Sequence, residues 1–207
     1  MSSPKWLEWV RRLQAVAQNG LMFCKDPFDR ERYEHVQSVA EEILSSTGDE
    51  IDAALVNQFM RGERGYATPK VDVRGAVFRE NRLLFVREKS DGLWTLPGGW
   101  ADVGESPAEA VVREVEEESG FVTRAAKLIA LYDRNKHAHP PTLYHSYKAF
   151  FLCDLIGGAA APSVETTAVE FFALDALPPL STPRITPQQI ERLFAHHADR
   201  ALPTEFD

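Results

Sequence analysis

Residues 98–121 read GGWADVGESPAEAVVREVEEESGF, and within them Glu114, Glu117 and Glu118 are spaced i, i+3 and i+4. On a helix that spacing projects all three carboxylates from one face, close enough to repel one another. Such a cluster destabilises its helix unless a cation sits among the carboxylates, and a hard divalent ion with oxygen ligands meets that need. The helix signals are local. Ser106 is an N-cap residue type, Pro107 suits the first turn, Glu109 completes an S-x-x-E capping box, and Gly120 suits the C-terminal stop. Ala108, Val111, Val112 and Val115 make an apolar stripe beside the acidic face, so one side packs and the next is free for chemistry. Arg113 borders the acidic face and can reach back to a carboxylate in the preceding loop, with Glu105 the obvious partner.

As a pattern the stretch is Gly99, five residues, Glu105, seven residues, Arg113-Glu114-Val115, one residue, Glu117-Glu118, one residue, Gly120-Phe121. The bland reading is a solvated acidic helix, where most glutamate-rich helices belong. At average usage, the seven fixed identities coincide by chance at a given start with probability on the order of 10⁻⁸. The stretch resembles the Nudix box, matched at every fixed position.

Upstream, residues 1 to 66 read as three helices without strand signals. Trp6, Val10, Leu13 and Ala17 recur at helical spacing before Gly20, which suits a stop. Asp26-Pro27 opens a second region striped by Tyr33, Val36, Ala40 and Ile43, and Ile51, Leu55 and Phe59 suggest a third helix. Trp6 and Trp9 suit a core or an interface. Residues 1 to 67 hold 8 Lys+Arg against 11 Asp+Glu, with no basic stripe, so this is not a nucleic-acid-binding head.

From residue 67 to 207 the composition changes. VDVRGAVFRE and NRLLFVRE are β-rich runs around Glu80-Asn81, a hairpin signal, and a short strand is expected at Trp94–Leu96. RAAKLIALYDR, LYHSYKAFFLCDLIGG and AVEFFAL read as later strands, and a final helix runs from Pro187 to His197. Strands around one central helix indicate α+β or α/β/α rather than a doubly wound parallel sheet. The 207 residues suit one catalytic domain plus an appendage, and a formal net charge of -8 argues against general nucleic-acid affinity. No apolar run is long enough for a membrane span, nor does the N-terminus resemble a signal peptide, so a cytoplasmic location is expected. Cys24 and Cys153 lie far apart in apolar surroundings and read as free thiols.

More of the chain resembles one branch of the Nudix family, enzymes with an N-terminal helical extension that cleave nucleoside diphosphates linked to another moiety, typified by CDP-choline pyrophosphatases. The stretches that carry this are WLEWVRRLQAVAQNGL, FDRERYEHV, the box with its approach, LYDRNKHAHPPTLYHSYKAFFLCDLIGG and FFALDALPPLS. The resemblance implies a Nudix-type α/β/α sandwich with a mixed sheet, plus a small N-terminal all-helical domain that packs or dimerises. It implies metal ligation by Glu114, Glu117, Glu118 and the carbonyl of Gly98, with Mg²⁺ the expected ion and Mn²⁺ a substitute. Glu105 and Arg113 would orient helix and loop. A later acidic residue often assists as base or ligand; Glu165 is the candidate, with Glu170 weaker, and Ala168 stands where several relatives have a second acid.

The implied reaction is hydrolysis of NDP-X to a nucleoside monophosphate and X-phosphate, with CDP-choline-like substrates favoured. ADP-ribose or another NDP-sugar is the competing substrate, and a nucleotide-sensing regulator without turnover is a third reading. A homodimer is expected. Arg74 and Arg87 are candidate phosphate contacts, each also readable as an ordinary charge. Trp94, Trp100, Tyr132 or Tyr144 could stack on a base or simply pack. Of His137, His139 and His145, one or two could face the substrate, with His139 stiffened by Pro140-Pro141; a zinc site is disfavoured for want of cysteine or acidic partners at zinc spacing.

Overall fold

The computed structural model describes residues 4–46, 59–60 and 62–207, and the chain divides into two compact units, residues 1–69 with 141–145 and residues 70–140 with 146–207. In the first unit, α1 (Lys5–Phe23) and α2 (Pro27–Ser46) pack on each other through Leu7, Val10, Ala17, Ala40 and Leu44. Asp26 starts α2 by accepting the amides of Phe28 and Asp29 at 2.8 and 3.2 Å. The expected stop at Gly20 does not occur, because α1 continues to Phe23. A Cβ at Gly20 would lie 2.3 Å from the ring of Tyr33, so this glycine serves a close helix–helix approach rather than a cap. The buried amides of Gln14 and Gln18 bond the carbonyls of Met60 and Gly65. Of the expected third helix, only Phe59 and Met60 fall among the described helical residues; the rest lies outside them.

In the second unit the sheet is mixed. Strands β1 (Lys70–Arg79), β2 (Arg82–Glu88), β3 (Trp94–Thr95), β4 (Phe121–Asp133), β5 (Ser146–Gly158), β6 (Thr166–Phe172) and β7 (Glu205–Phe206) are ordered β3-β2-β1-β5-β4-β7, with β6 also on β2. Pairing is parallel for β1–β5 and β4–β7 and antiparallel elsewhere. Glu80 and Asn81, both at positive φ (51° and 56°), turn β1 into β2 as the hairpin signal predicts. The short strand β7 has no counterpart in the sequence reading. It is held by its pairing with β4 and by side chains of β4 and α4, for Tyr132, Arg192 and His196 all bond Glu205.

Helix α3 (Pro107–Ser119) covers one face through Ala110, Val111 and Val115 against Val73, Val77, Phe121 and Phe151. Helix α4 (Pro187–Ala198) covers the other through Ile190 and Leu193 against Ala76, Phe85, Phe150 and Leu152. Alternate residues of β1 feed the two cores, as a strand buried on both faces requires. This is the α/β/α arrangement expected, with helices preceding it. Cys24 and Cys153 are free thiols. No helix among the described residues is long and apolar enough to cross a membrane.

Candidate active site

Helix α3 begins and ends where its sequence says. Ser106 accepts the Glu109 amide and Glu109 returns to the Ser106 amide at 2.8 Å; Gly120 closes the helix at φ 75°. The capped helix fixes the rotation that sends Val111 and Val115 inward and the carboxylates toward the loop before it.

Arg113 ties the acidic face together. Its Nε and NH2 donate to both oxygens of Glu105 at 2.8 and 3.0 Å, and its NH1 donates to Glu114 and Glu117 at 3.1 and 2.9 Å. The two-pronged bond to Glu105, joined by Glu114 and Glu117, raises the Arg113 pKa and keeps the guanidinium charged. Glu118 is the buried member of the set, 6 % exposed, and its Oε2 accepts the Gly98 amide at 2.9 Å. Burial pushes its carboxyl up to about 7, against the opposing pull of Arg74 and the Gly98 N–H. Burial also raises Glu114, with Arg113 working the other way.

The loop segment at Gly98 is held to β1 at successive points. Arg74 NH1 bonds the Leu96 carbonyl at 3.1 Å, the Gly75 amide bonds that of Pro97 at 2.9 Å, and the Val73 amide bonds that of Gly99 at 2.8 Å. Among the described residues the Gly98 carbonyl accepts nothing, so it is the one oxygen of the segment left over for a ligand. Gly98 has φ 142°, and a Cβ there would stand 2.0 Å from the Val73 oxygen. Only glycine permits this approach.

These groups fit a divalent cation in their chemistry. Glu114, Glu117, Glu118 and the Gly98 carbonyl are all oxygen donors, and the buried Glu118 and half-buried Glu114 carry charge at a cost that a cation would remove. No group of three acidic, histidine or cysteine side chains among the described residues already stands at ligand geometry. Arg113 spans Glu114 and Glu117 through one oxygen of each, so the second oxygen of each carboxylate can meet an ion while the guanidinium stays in place.

The other candidates are placed as follows. Glu165 is exposed in the loop before β6; that loop is pinned to α3 by Thr166 Oγ1, which donates to the Glu118 carbonyl at 2.9 Å. Arg74 is buried and bonds Asp72 at 2.8 Å, whereas Arg87 is exposed and bonds the Gly92 carbonyl at 2.7 Å. His139 is buried with both ring nitrogens engaged, Nδ1 on the Thr182 carbonyl at 2.8 Å and Nε2 on the Gln189 amide at 3.0 Å. Its ring thus ties loop to helix and has no nitrogen left for a substrate. Tyr144 belongs to the first unit, where it packs edge-on against Phe59. Trp94 packs on Phe172, Tyr132 on Phe150, and Trp100 is half exposed. Glu170 is exposed on β6.

Four buried or half-buried charged residues of this unit escaped the sequence reading: Asp72, Lys148, Glu88 and Arg184. Lys148 bonds Asp72, Arg184 Nε lies 3.2 Å from Glu88, and the Glu88 charge adds to the upward pull on Glu118. The available signal was an acid and a base at i and i+2 inside VDVRGAVF, and a lysine in the apolar run SYKAFFLC. Charges at inward positions of buried strands are rare unless paired.

Residues 68–193 match the profile of the NUDIX domain, and residues 4–59 match a UDP-X-like N-terminal oligomerisation domain. YjhB of Bacillus subtilis, assigned provisionally as an ADP-ribose pyrophosphatase, is 48% identical over 198 residues, covering 95% of each chain. The crystal structure of a UDP-X diphosphatase superposes with TM-score 0.64 at 35% identity over 100% of both chains. That of an ADP-ribose pyrophosphatase from Streptococcus suis has TM-score 0.63 at 42% identity, covering 68% of this chain and 100% of the other.

Proposed function

Because the chain belongs to the Nudix hydrolase family, we propose that it hydrolyses the pyrophosphate bond of a nucleoside diphosphate linked to a second moiety, with a divalent cation, Mg²⁺ or Mn²⁺, held by Glu114, Glu117, Glu118 and the Gly98 carbonyl. The observation that carries this reading is the meeting of a buried carboxylate and an unclaimed backbone carbonyl at one loop, beside two further carboxylates on the same helix face. When bound, the cation supplies neutralisation of phosphate oxygens and a lowered pKa for the attacking water.

The chain's own residues hold the geometry. Glu105 fixes Arg113, Arg113 restrains Glu114 and Glu117, and the Gly98 N–H orients Glu118. Water adds to one phosphorus, the bridging P–O bond breaks, and the bridging oxygen leaves with the other phosphoryl group. Glu165 is our candidate to take the water's proton; the pinning of its loop to the end of α3 supports this.

For the substrate, ADP-ribose and UDP-linked compounds, named in the descriptions of similar proteins, join CDP-choline as the compounds to test. The test is release of phosphate after phosphatase coupling, with Mg²⁺ or Mn²⁺, across ADP-ribose, UDP-sugars, CDP-choline and nucleoside triphosphates. Glu117→Gln and Glu118→Gln should each remove most of the activity while the fold persists; full turnover in both variants would refute the site.

The first unit is proposed to make a homodimer. Trp9, Val16 and Phe23 recur every seven residues along α1 and are 52, 55 and 63 % exposed, with Phe23 edge-on to Tyr66, an exposed apolar line on a unit whose profile is that of an oligomerisation domain. Light scattering should give a dimer that Trp9→Asp with Val16→Glu dissociates; a monomeric wild type would end this reading.

A further inference from the structure

Lys148 is the least expected residue of the second unit. It is 0 % exposed in the middle of a sheet, and it stands opposite Asp72 in the β1–β5 register. Its Nζ bonds one oxygen of Asp72 while Arg74 Nε bonds the other at 2.8 Å. Two cations thus share one carboxylate, itself buried. A single arginine would have satisfied an acid of this kind less fully, and a leucine in place of Lys148 would have suited the neighbouring apolar positions. Burial pushes the lysine pKa down to about 8, which marks the cost of keeping an ammonium here.

The use of this expense lies at the far end of the chain of bonds. With Nε held by Asp72, the planar guanidinium of Arg74 has its NH1 aimed at the Leu96 carbonyl, 3.1 Å away. That bond is the first of the three that lay residues 96–99 against β1, and it is the only one made by a side chain. Two residues on is Gly98, whose N–H holds Glu118 and whose carbonyl accepts nothing among the described residues.

We propose that Lys148 is a positioning residue: through Asp72 and Arg74 it sets the orientation of the Gly98 N–H and thereby the placement of the Glu118 carboxylate for cation binding and turnover. Being fully buried, Lys148 touches neither substrate nor ion and acts only through this relay. Removing its ammonium orphans one Asp72 oxygen in the core, so the carboxylate turns or takes up a proton, and Arg74 loses the partner that fixes its plane. The inference rests on the metal-hydrolase reading of the site.

The test uses the full-length protein, with Mn²⁺ alone as the binding probe read by electron paramagnetic resonance, and kcat and KM measured on the best substrate of the panel. For Lys148→Met, folded by circular dichroism, we expect kcat to fall about 10–100-fold and Mn²⁺ affinity by about tenfold, with KM little changed. Asp72→Asn, which keeps an acceptor for Arg74 but presents no carboxylate to Lys148, should move both readouts the same way. Lys148→Arg, which keeps a donor for Asp72, should recover part of each. A folded Lys148→Met or Asp72→Asn protein with wild-type kcat and Mn²⁺ affinity overturns the relay alone. Failure of both variants to fold makes the network merely structural and overturns it too. A wild type that neither binds Mn²⁺ nor cleaves any NDP-X overturns the parent reading instead, and the relay with it.

Discussion

Replacing Gly98 by alanine separates the conformational demand of the loop from its chemistry. At φ 142° an L side chain is strained, which costs about 1–3 kcal/mol. The added methyl would also meet the Val73 oxygen at 2.0 Å and the Arg74 Cα at 2.9 Å, both backbone atoms that cannot swing away. The segment must therefore leave β1, and the bonds from Val73 N to Gly99 O and from Gly75 N to Pro97 O, at 2.8 and 2.9 Å, are lost or stretched. Each contributes about 1 kcal/mol net, so the total penalty is about 3–5 kcal/mol. For a chain of this size that lowers Tm by roughly 6–20 °C. Gly99→Ala is the control. The atoms nearest its methyl would be those of the Glu114 carboxylate, at 2.9–3.1 Å, the far end of a flexible side chain, and Gly99 has no positive φ. We expect Gly99→Ala to keep nearly wild-type stability while losing activity through a displaced Glu114. Urea titration and kcat on both variants decide it. Equal stability of Gly98→Ala and wild type would refute the argument that β1 grips this loop.

Three further outcomes are expected. Arg113→Met should lower kcat by about 10–100-fold, since it frees Glu105 and lets the carboxylates spread; its effect on Tm should be small because the pair is part-exposed, and melting curves beside kinetics check both halves. Glu165→Gln should reduce kcat by about 10²-fold if the residue accepts the proton, with KM unaffected; an unchanged rate removes it from the mechanism. Burial holds His139 down at about 4, with Lys148 and Arg134 adding to that pull against the Thr182 carbonyl. The folded state therefore excludes a proton that the unfolded chain accepts below its ordinary 6.5. Stability from this group is complete above pH 6.5 and is lost as pH falls toward 4, by about 3 kcal/mol in all. Urea midpoints at pH 7.5, 6 and 5 should show a shallower acid loss for His139→Asn than for wild type; identical slopes would contradict it.

The tautomer of His139 is set by its neighbours. Gln189 Oε1 accepts the Thr186 amide at the start of α4, so its Nε2 must be the atom facing His139. The imidazole Nε2 then accepts, and Nδ1–H donates to Thr182. A residue marked from sequence as facing the substrate is thus a neutral brace between a proline-stiffened loop and a helix cap.

What the amino-acid order alone determined is local: the capping box, the terminating Gly120, the i, i+3, i+4 acidic face and the hairpin at Glu80-Asn81 all depend on neighbours within a few residues, and all recur in the structure. The pairing of Glu105 with Arg113 was also legible, because eight residues of loop and helix span little distance. Tertiary structure alone decided the rest. Strand register set Lys148 opposite Asp72 across 76 positions of chain; only close helix packing explains why Gly20 does not end α1; and β7 exists through its contacts with residues remote in sequence. Short-range backbone preferences can be read one residue at a time, whereas the partner of a buried charge is chosen by which strands lie side by side.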